Sequence, residues 1–344
     1  MSRIVCKFGG SSLADAARIQ RVAGIVRGDP SRRFIVLSAP GKRSASDDKV
    51  TDLLYKMIDG GRIDRSIFSR IFQRYADIRD AIAPDFDLES EFARFWQHSP
   101  RDADYFASRG EAILAKLFAA ATGWTYVDAS ELLFFDESGR IDRAASARAC
   151  VENLLRLERA VIPGFYGQDV CGGIRVFQRG GSDVSGAWIS ALLHADLYEN
   201  WTDVGGLYSA DPALVDSAVQ IPRASYSRAE AILRAGAAVL DPDAIAPLRE
   251  DRIECVIRNT FAPEAASTRI CDCGDCDVPC VTGRRGSSES AIAVFGLNSA
   301  RIPDIRREIA PLHINHMQEY VEIIVPKEKY AQAVRKAHEI LMRA

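Results

Sequence analysis

No run of apolar residues in this chain approaches the roughly 20 that a membrane-spanning helix requires. The opening residues also lack the apolar stretch of a secretory leader. Charge of one sign is scarce as well. The 44 lysines and arginines nearly balance 47 aspartates and glutamates, for a net charge of −3. With no basic cluster, this excludes a protein held to nucleic acid or to a membrane surface by charge. There are five histidines, and none forms an obvious catalytic dyad or triad. Short repeats and low-complexity tracts are missing, which excludes a repeat array. Cysteine, by contrast, is present eight times. Without a leader, that number points to a reducing cytoplasm rather than a disulfide scaffold.

What is present is an ordinary globular composition, 47% apolar over 344 residues. That length suits one large domain plus a smaller one, or two domains. Up to about residue 270, short apolar strands alternate with helical patterns, the mark of a sheet covered by helices. Strands are expected at "RIVC", "RRFIVLSAP", "WTYVDAS", "RAVIPGFYG", "GIRVFQRGG", the start of "DLYENWTDV" and "IECVIRNT". Helices are expected after "GGSS", from Val50 to about Ala83, and at "GEAILAKLFAAATG", "GAWISALLHA" and "SRAEAILRAGAAVL". From about Val281 the pattern becomes β-α-β-β-α, so a large α/β unit is expected over 1–272 and a small α+β unit over 281–344. A linker is placed at 271–280.

Two stretches share one design. In "CKFGGSSL" a strand ends in Lys7, two glycines and two serines, and a helix follows. In "FQRGGSDVSG" a strand leads to Arg179, Gly180, Gly181, Ser182 and Asp183, and again a helix follows. Glycines between strand and helix let backbone N–H groups approach an anion, and a nearby cation adds to the attraction. One such loop is an ordinary turn; two in one α/β unit suggest that a carboxylate meets one and a phosphate the other. A third stretch, "NWTDVGGLYSADP", places Thr202, Asp203 and Tyr208 past a strand's C-terminal end, where open α/β sheets bind ligands.

Taken in order, "KFGGSS", "LSAPGKR…KVTDLL", "SRGE", "IPGFYG", "FQRGGSD" and "YENWTDVGGLYSADP" resemble aspartate kinases of the amino-acid kinase superfamily. The resemblance runs from residue 4 to about 270. It implies a three-layer α/β sandwich with a mostly parallel central sheet, followed by an ACT-like α+β unit. It further implies transfer of the ATP γ-phosphoryl group, with Mg²⁺, to the β-carboxylate of L-aspartate. By this resemblance Lys7 and Asp183 are catalytic. Gly9, Gly10, Ser11, Gly180, Gly181, Thr202, Asp203 and Tyr208 join Lys7 around ATP. Ser38, Thr51 and Ser182 lie near the acceptor, Glu111 receives its α-ammonium and Arg179 its α-carboxylate.

The chain also departs from the pattern. Ala213 stands where many aspartate kinases have an arginine, and "GAAVLDP" puts Ala238 and Asp241 where lysine and histidine are common. Losing two cations predicts weaker triphosphate binding or compensation elsewhere. The tail is short for a paired ACT region, which leaves "EYVEIIVP" beside an open edge, predicts a homodimer that covers it, and predicts weak feedback control. Cys271, Cys273, Cys276 and Cys280 are either free thiols or, less expectedly, ligands of a structural Zn²⁺. Two other functions remain open: a related kinase acting on a different carboxylate, and a kinase-like regulatory subunit without activity.

Overall fold

The computed structural model describes residues 2–343 apart from Arg179, Cys273, Asp275 and Asp277. Its strands are β1 (Ile4–Phe8), β2 (Arg32–Leu37), β3 (Thr125–Tyr126), β4 (Ala160–Pro163), β5 (Tyr166–Gln168), β6 (Ile174–Val176) and β7 (Leu197–Thr202). They continue with β8 (Arg223–Ser225), β9 (Cys255–Asn259), β10 (Thr268–Cys271), β11 (Cys280–Arg284), β12 (Glu289–Phe295), β13 (His313–His316) and β14 (Tyr320–Pro326). The helices are α1 (Ala16–Arg27), α2 (Val50–Met57), α3 (Arg65–Ile82), α4 (Leu88–Ala93), α5 (Ala103–Thr122) and α6 (Arg143–Leu154). After them come α7 (Gly181–Leu192), α8 (Tyr226–Ala235), α9 (Ile245–Glu250), α10 (Ile302–Ile309) and α11 (Tyr330–Met342). Among the described residues, no helix is long and apolar enough to cross a membrane.

Eight strands form the central sheet, in the order β3-β4-β2-β1-β7-β9-β10-β8. Every neighbouring pair is parallel except β9 with β10. Its inner strands read as continuous apolar runs because both faces are covered. Along β2, Phe34 and Val36 face the layer of α7, α8 and α9, and Ile35 and Leu37 face that of α1, α3 and α5. This is the three-layer architecture expected from the sequence.

Two expected strands take other places. "RAVIPGFYG" breaks at Phe165, whose φ is 81°. That turn sends β5 out of the central sheet to pair with β6 as a separate antiparallel hairpin. The tail holds one strand more than expected, with order β11-β12-β14-β13, antiparallel throughout. "EYVEIIVP" is therefore central, bonded to β12 on one side and β13 on the other, which corrects the open-edge expectation. The added strand, β11, begins at Cys280, and Cys271 ends β10.

One buried carboxylate anchors the middle of the sheet. Glu199 on β7, 1% exposed, takes Arg32 Nε at 2.7 Å and Arg258 Nε at 3.0 Å. It also accepts from the Trp201 indole at 3.0 Å, and that ring stacks on Phe8 with centroids 5.7 Å apart. Breaking a buried ion pair from one side leaves charge uncompensated. Glu199→Ala is therefore expected to cost about 3–5 kcal/mol of folding stability, measured by urea denaturation. Phe8 and Trp201 directly precede Gly9 and Thr202, two residues that line the cleft.

Candidate active site

The loops at the C-terminal ends of β1, β2 and β7 converge with those before α7 and after α8 around a cleft of about 1880 Å³. Backbone bonds splice these loops together. The Gly9 N–H donates to the Trp201 carbonyl at 2.9 Å, and the Ser38 N–H to the Phe8 carbonyl at 3.1 Å. The Gly41 N–H reaches the Gly10 carbonyl at 2.8 Å. Ser12 and Thr260 share a buried hydroxyl pair at 2.7 Å, which fixes the turn after Gly9.

Lys7 is buried and forms an ion pair with Asp183, the acidic residue in the first turn of α7. The two charged residues read from the glycine loops thus meet. The other oxygen of Asp183 accepts from the Asp241 N–H at 2.8 Å, so the carboxylate is fixed at both oxygens. Gly180 caps α7 with a φ of +63°, and a Cβ there would lie 2.0 Å from Asp241 Oδ2. Both the left-handed conformation and the lack of room require glycine at this position. No side chain caps this helix; the Asp183 and Val184 N–H groups bond back to the Gly180 carbonyl, and the Gly181 and Ser182 N–H groups ahead of them have no helical carbonyl to meet.

Glu111 enters from α5. It is 4% exposed, and its Oε2 finds no hydrogen-bond partner. Burial pushes its pKa up to about 8, although the Ala39 and Glu111 backbone N–H groups and the Arg109 and Lys7 charges pull the other way. An unsatisfied, desolvated carboxyl on a cavity wall is suited to meet a cation.

Of the residues singled out in the sequence, Lys7, Gly9, Gly10, Ser11, Ser38, Thr51, Glu111, Gly180, Gly181, Ser182, Asp183, Thr202 and Asp203 all line this cleft. Tyr208 does not, since it pairs in a bridge with Gln220 and its hydroxyl lies beside Gly205. Arg179 lies outside the described residues. The structure adds Lys42 and Lys49 to the lining, on the loop after β2. That loop is held from below by buried Arg74. Its guanidinium donates to the Gly41 and Ala14 carbonyls, to Asp47 Oδ2 at 2.8 Å and to the Asp48 carbonyl at 3.1 Å. Nothing in the local pattern of α3 marked Arg74, although "GKR" after the Pro-Gly turn did mark the loop.

The cysteine run is not assembled as a metal centre among the described residues, where no group of three or more His, Cys, Asp or Glu side chains is placed to hold an ion. Cys271 is disulfide-bonded, which corrects the expectation of a free thiol or zinc ligand there; Cys280 is buried, and the Cys276 thiol donates to the Arg223 carbonyl. Cys273 lies outside the described residues.

The chain is similar to known proteins of one family. Aspartokinase 3 of Bacillus subtilis (strain 168) is 34% identical over 292 residues, which cover 77% of this chain and 63% of that one. The chain thus spans about 63% of the length of that relative. The crystal structure of Clostridium acetobutylicum aspartate kinase superposes with a TM-score of 0.83 at 28% identity, covering 99% of this chain and 100% of that one. Escherichia coli aspartokinase III has the same fold, with a TM-score of 0.85 at 21% identity over 99% of this chain and 100% of that one. Residues 2–259 match the family described as the amino acid kinase family. Those residues carry both glycine loops, the Lys7–Asp183 pair and Glu111, and the chain belongs to the amino acid kinase family.

Proposed function

We propose that this protein is an ATP-dependent aspartate kinase that converts L-aspartate to 4-phospho-L-aspartate, the first step of aspartate-family amino-acid synthesis. The observation that carries the reading is the Lys7–Asp183 pair set between two glycine-rich turns, with Glu111 on the same cavity wall. The names of the relatives support the choice of substrate: an aspartokinase at 34% identity and an aspartate kinase structure alignable over 99% of this chain.

The chemistry follows from charge. An aspartate β-carboxylate has a pKa of about 4 and is an anion at neutral pH, so it attacks without a general base. The obstacle is repulsion between that anion and the triphosphate of MgATP. Lys7 and the N–H groups of the two turns offset it, and in-line placement does the rest. Asp183 holds the Lys7 ammonium where the transferring group passes. Glu111 takes the α-ammonium, and Arg179 takes the α-carboxylate by a two-bond contact that a lysine cannot make. Ser38, Thr51 and Ser182 supply hydroxyls at the acceptor end; Gly9, Gly10, Ser11, Gly180, Gly181, Thr202 and Asp203 serve the nucleotide. A homodimeric, cytoplasmic enzyme of two units, divided near residues 272–281, belongs to the same reading.

The test is trapping. Protein incubated with MgATP, hydroxylamine and a panel of amino acids is expected to give a hydroxamate with L-aspartate. Signal with a different acid alone would move the substrate, and no signal with any acid would overturn the reading.

A further inference from the structure

The cleft is not walled by the kinase-type unit alone. The C-terminal strand β11 touches the kinase-type unit at two points, and at the second of them it enters the cleft wall. At its start, the Val281 N–H donates to the Ser209 carbonyl at 2.7 Å, in the loop that follows Thr202 and Asp203. The same Ser209 is gripped through its hydroxyl by buried His338 of α11 at 2.9 Å. Farther along this loop, Ala210 and Val215 pack into the apolar core of the C-terminal unit with Ile292, Ile323 and Val334. At its other end, β11 rests on the turn after α8. A Cβ on Gly236 (φ +132°) would lie 2.4 Å from the Gly283 carbonyl and 2.9 Å from the Arg284 Cγ, so the two backbones are in direct contact.

Arg284 is thereby placed on the cleft lining with Leu233 and residues 236–242. The turn itself brings negative charge to the cleft, since Asp241 lies on it and Asp183 accepts from its N–H. Asp183, Asp203 and Asp241 all line the cleft here, and Lys7 is already paired with Asp183. Arg18, also on the lining, is tied to Asp15 at 3.1 Å and to the Ser11 carbonyl. Ala238 on the turn offers no charge. No carboxylate, carbonyl or ring among the described residues holds the Arg284 guanidinium. Its neighbour differs: the Arg285 guanidinium sits over the Tyr330 ring at 5.0 Å.

We propose that Arg284, presented by β11 of the C-terminal unit, is a nucleotide-binding residue that faces the polyphosphate of ATP across the turn at 236–242. The C-terminal unit is then part of the nucleotide site. The proposal rests on the reading of the cleft as an ATP site, but not on the identity of the acceptor. Binding of ATP and of adenosine to the full chain, measured by titration calorimetry with Mg²⁺ present, tests it. Arg284→Ala is expected to weaken ATP binding about tenfold or more and to leave adenosine binding unchanged. Arg284→Lys is expected to restore part of the loss, and Arg285→Ala to bind ATP as the wild type does. Unchanged ATP affinity in Arg284→Ala would overturn the proposal, as would an equal loss for adenosine, which marks a merely structural role. Wild-type protein that binds ATP but makes no hydroxamate sinks the acceptor assignment alone. Wild-type protein that binds no ATP sinks both.

Discussion

Lys7→Ala is expected to lower turnover by roughly 10³-fold or more, the scale seen when a cation on a transferring phosphoryl group is removed. The expectation comes from position as well as charge. Lys7 is 6% exposed, is paired with Asp183, and lies at the end of β1 directly before the turn at Gly9. A cation held there needs no reorganisation when negative charge shifts from the ATP γ-phosphate toward the leaving diphosphate, and so its effect is large. Steady-state kinetics should show the loss mainly in kcat. The variant also leaves Asp183 without its partner, so far-UV circular dichroism must confirm that the chain is folded. A folded Lys7→Ala protein with near-normal kcat would remove Lys7 from the chemistry.

The second large effect is in pH. With its pKa pushed up to about 8, Glu111 carries a proton in the empty site at neutral pH. An α-ammonium bound against it requires the carboxylate, so aspartate must displace that proton. Apparent aspartate affinity should therefore rise with pH up to about 8 and level off above it. Between pH 6 and 8 the KM for aspartate should fall on the order of 50-fold, as linkage to one such group requires. Glu111→Gln should raise KM about tenfold or more at pH 8 and abolish this slope. The sign for folding is the reverse. Between its ordinary value of 4.5 and about 8, the unfolded chain has lost the proton and the native one keeps it. Stability of the unliganded protein consequently declines across that window. A KM for aspartate that is flat from pH 6 to 8 would take Glu111 away from the ammonium.

Much of this site was legible because the chemistry is local in sequence. A strand, a charged residue, two glycines and a hydroxyl residue fall within six or seven positions, and the two copies of that pattern supplied Lys7 and Asp183. The parallel sheet was legible for a related reason: β1, β2, β4 and β9 are short apolar runs between helical segments. What stayed hidden depends on distant segments. β11 is five residues containing a glycine, a threonine and an arginine, and it becomes a strand only by pairing with β12. Arg74 reads as one more charge on an amphipathic helix until the loop of Gly41 and Asp47 folds over it. Glu199 sits inside an apolar strand, and its two arginine partners are 167 and 59 residues away in the chain. Tyr208 shows the opposite failure, in which proximity in sequence to Thr202 and Asp203 did not bring it into the cleft.

The guanidinium beneath the Gly41–Asp48 segment has a consequence for recognition. With Arg74 bonded to three carbonyls and a carboxylate, the part of the cleft wall formed by this loop is held in place by the protein's own bonds. Little conformational entropy is then left to lose on binding, so discrimination among amino acids falls to shape and charge matching rather than to folding of the wall around its guest.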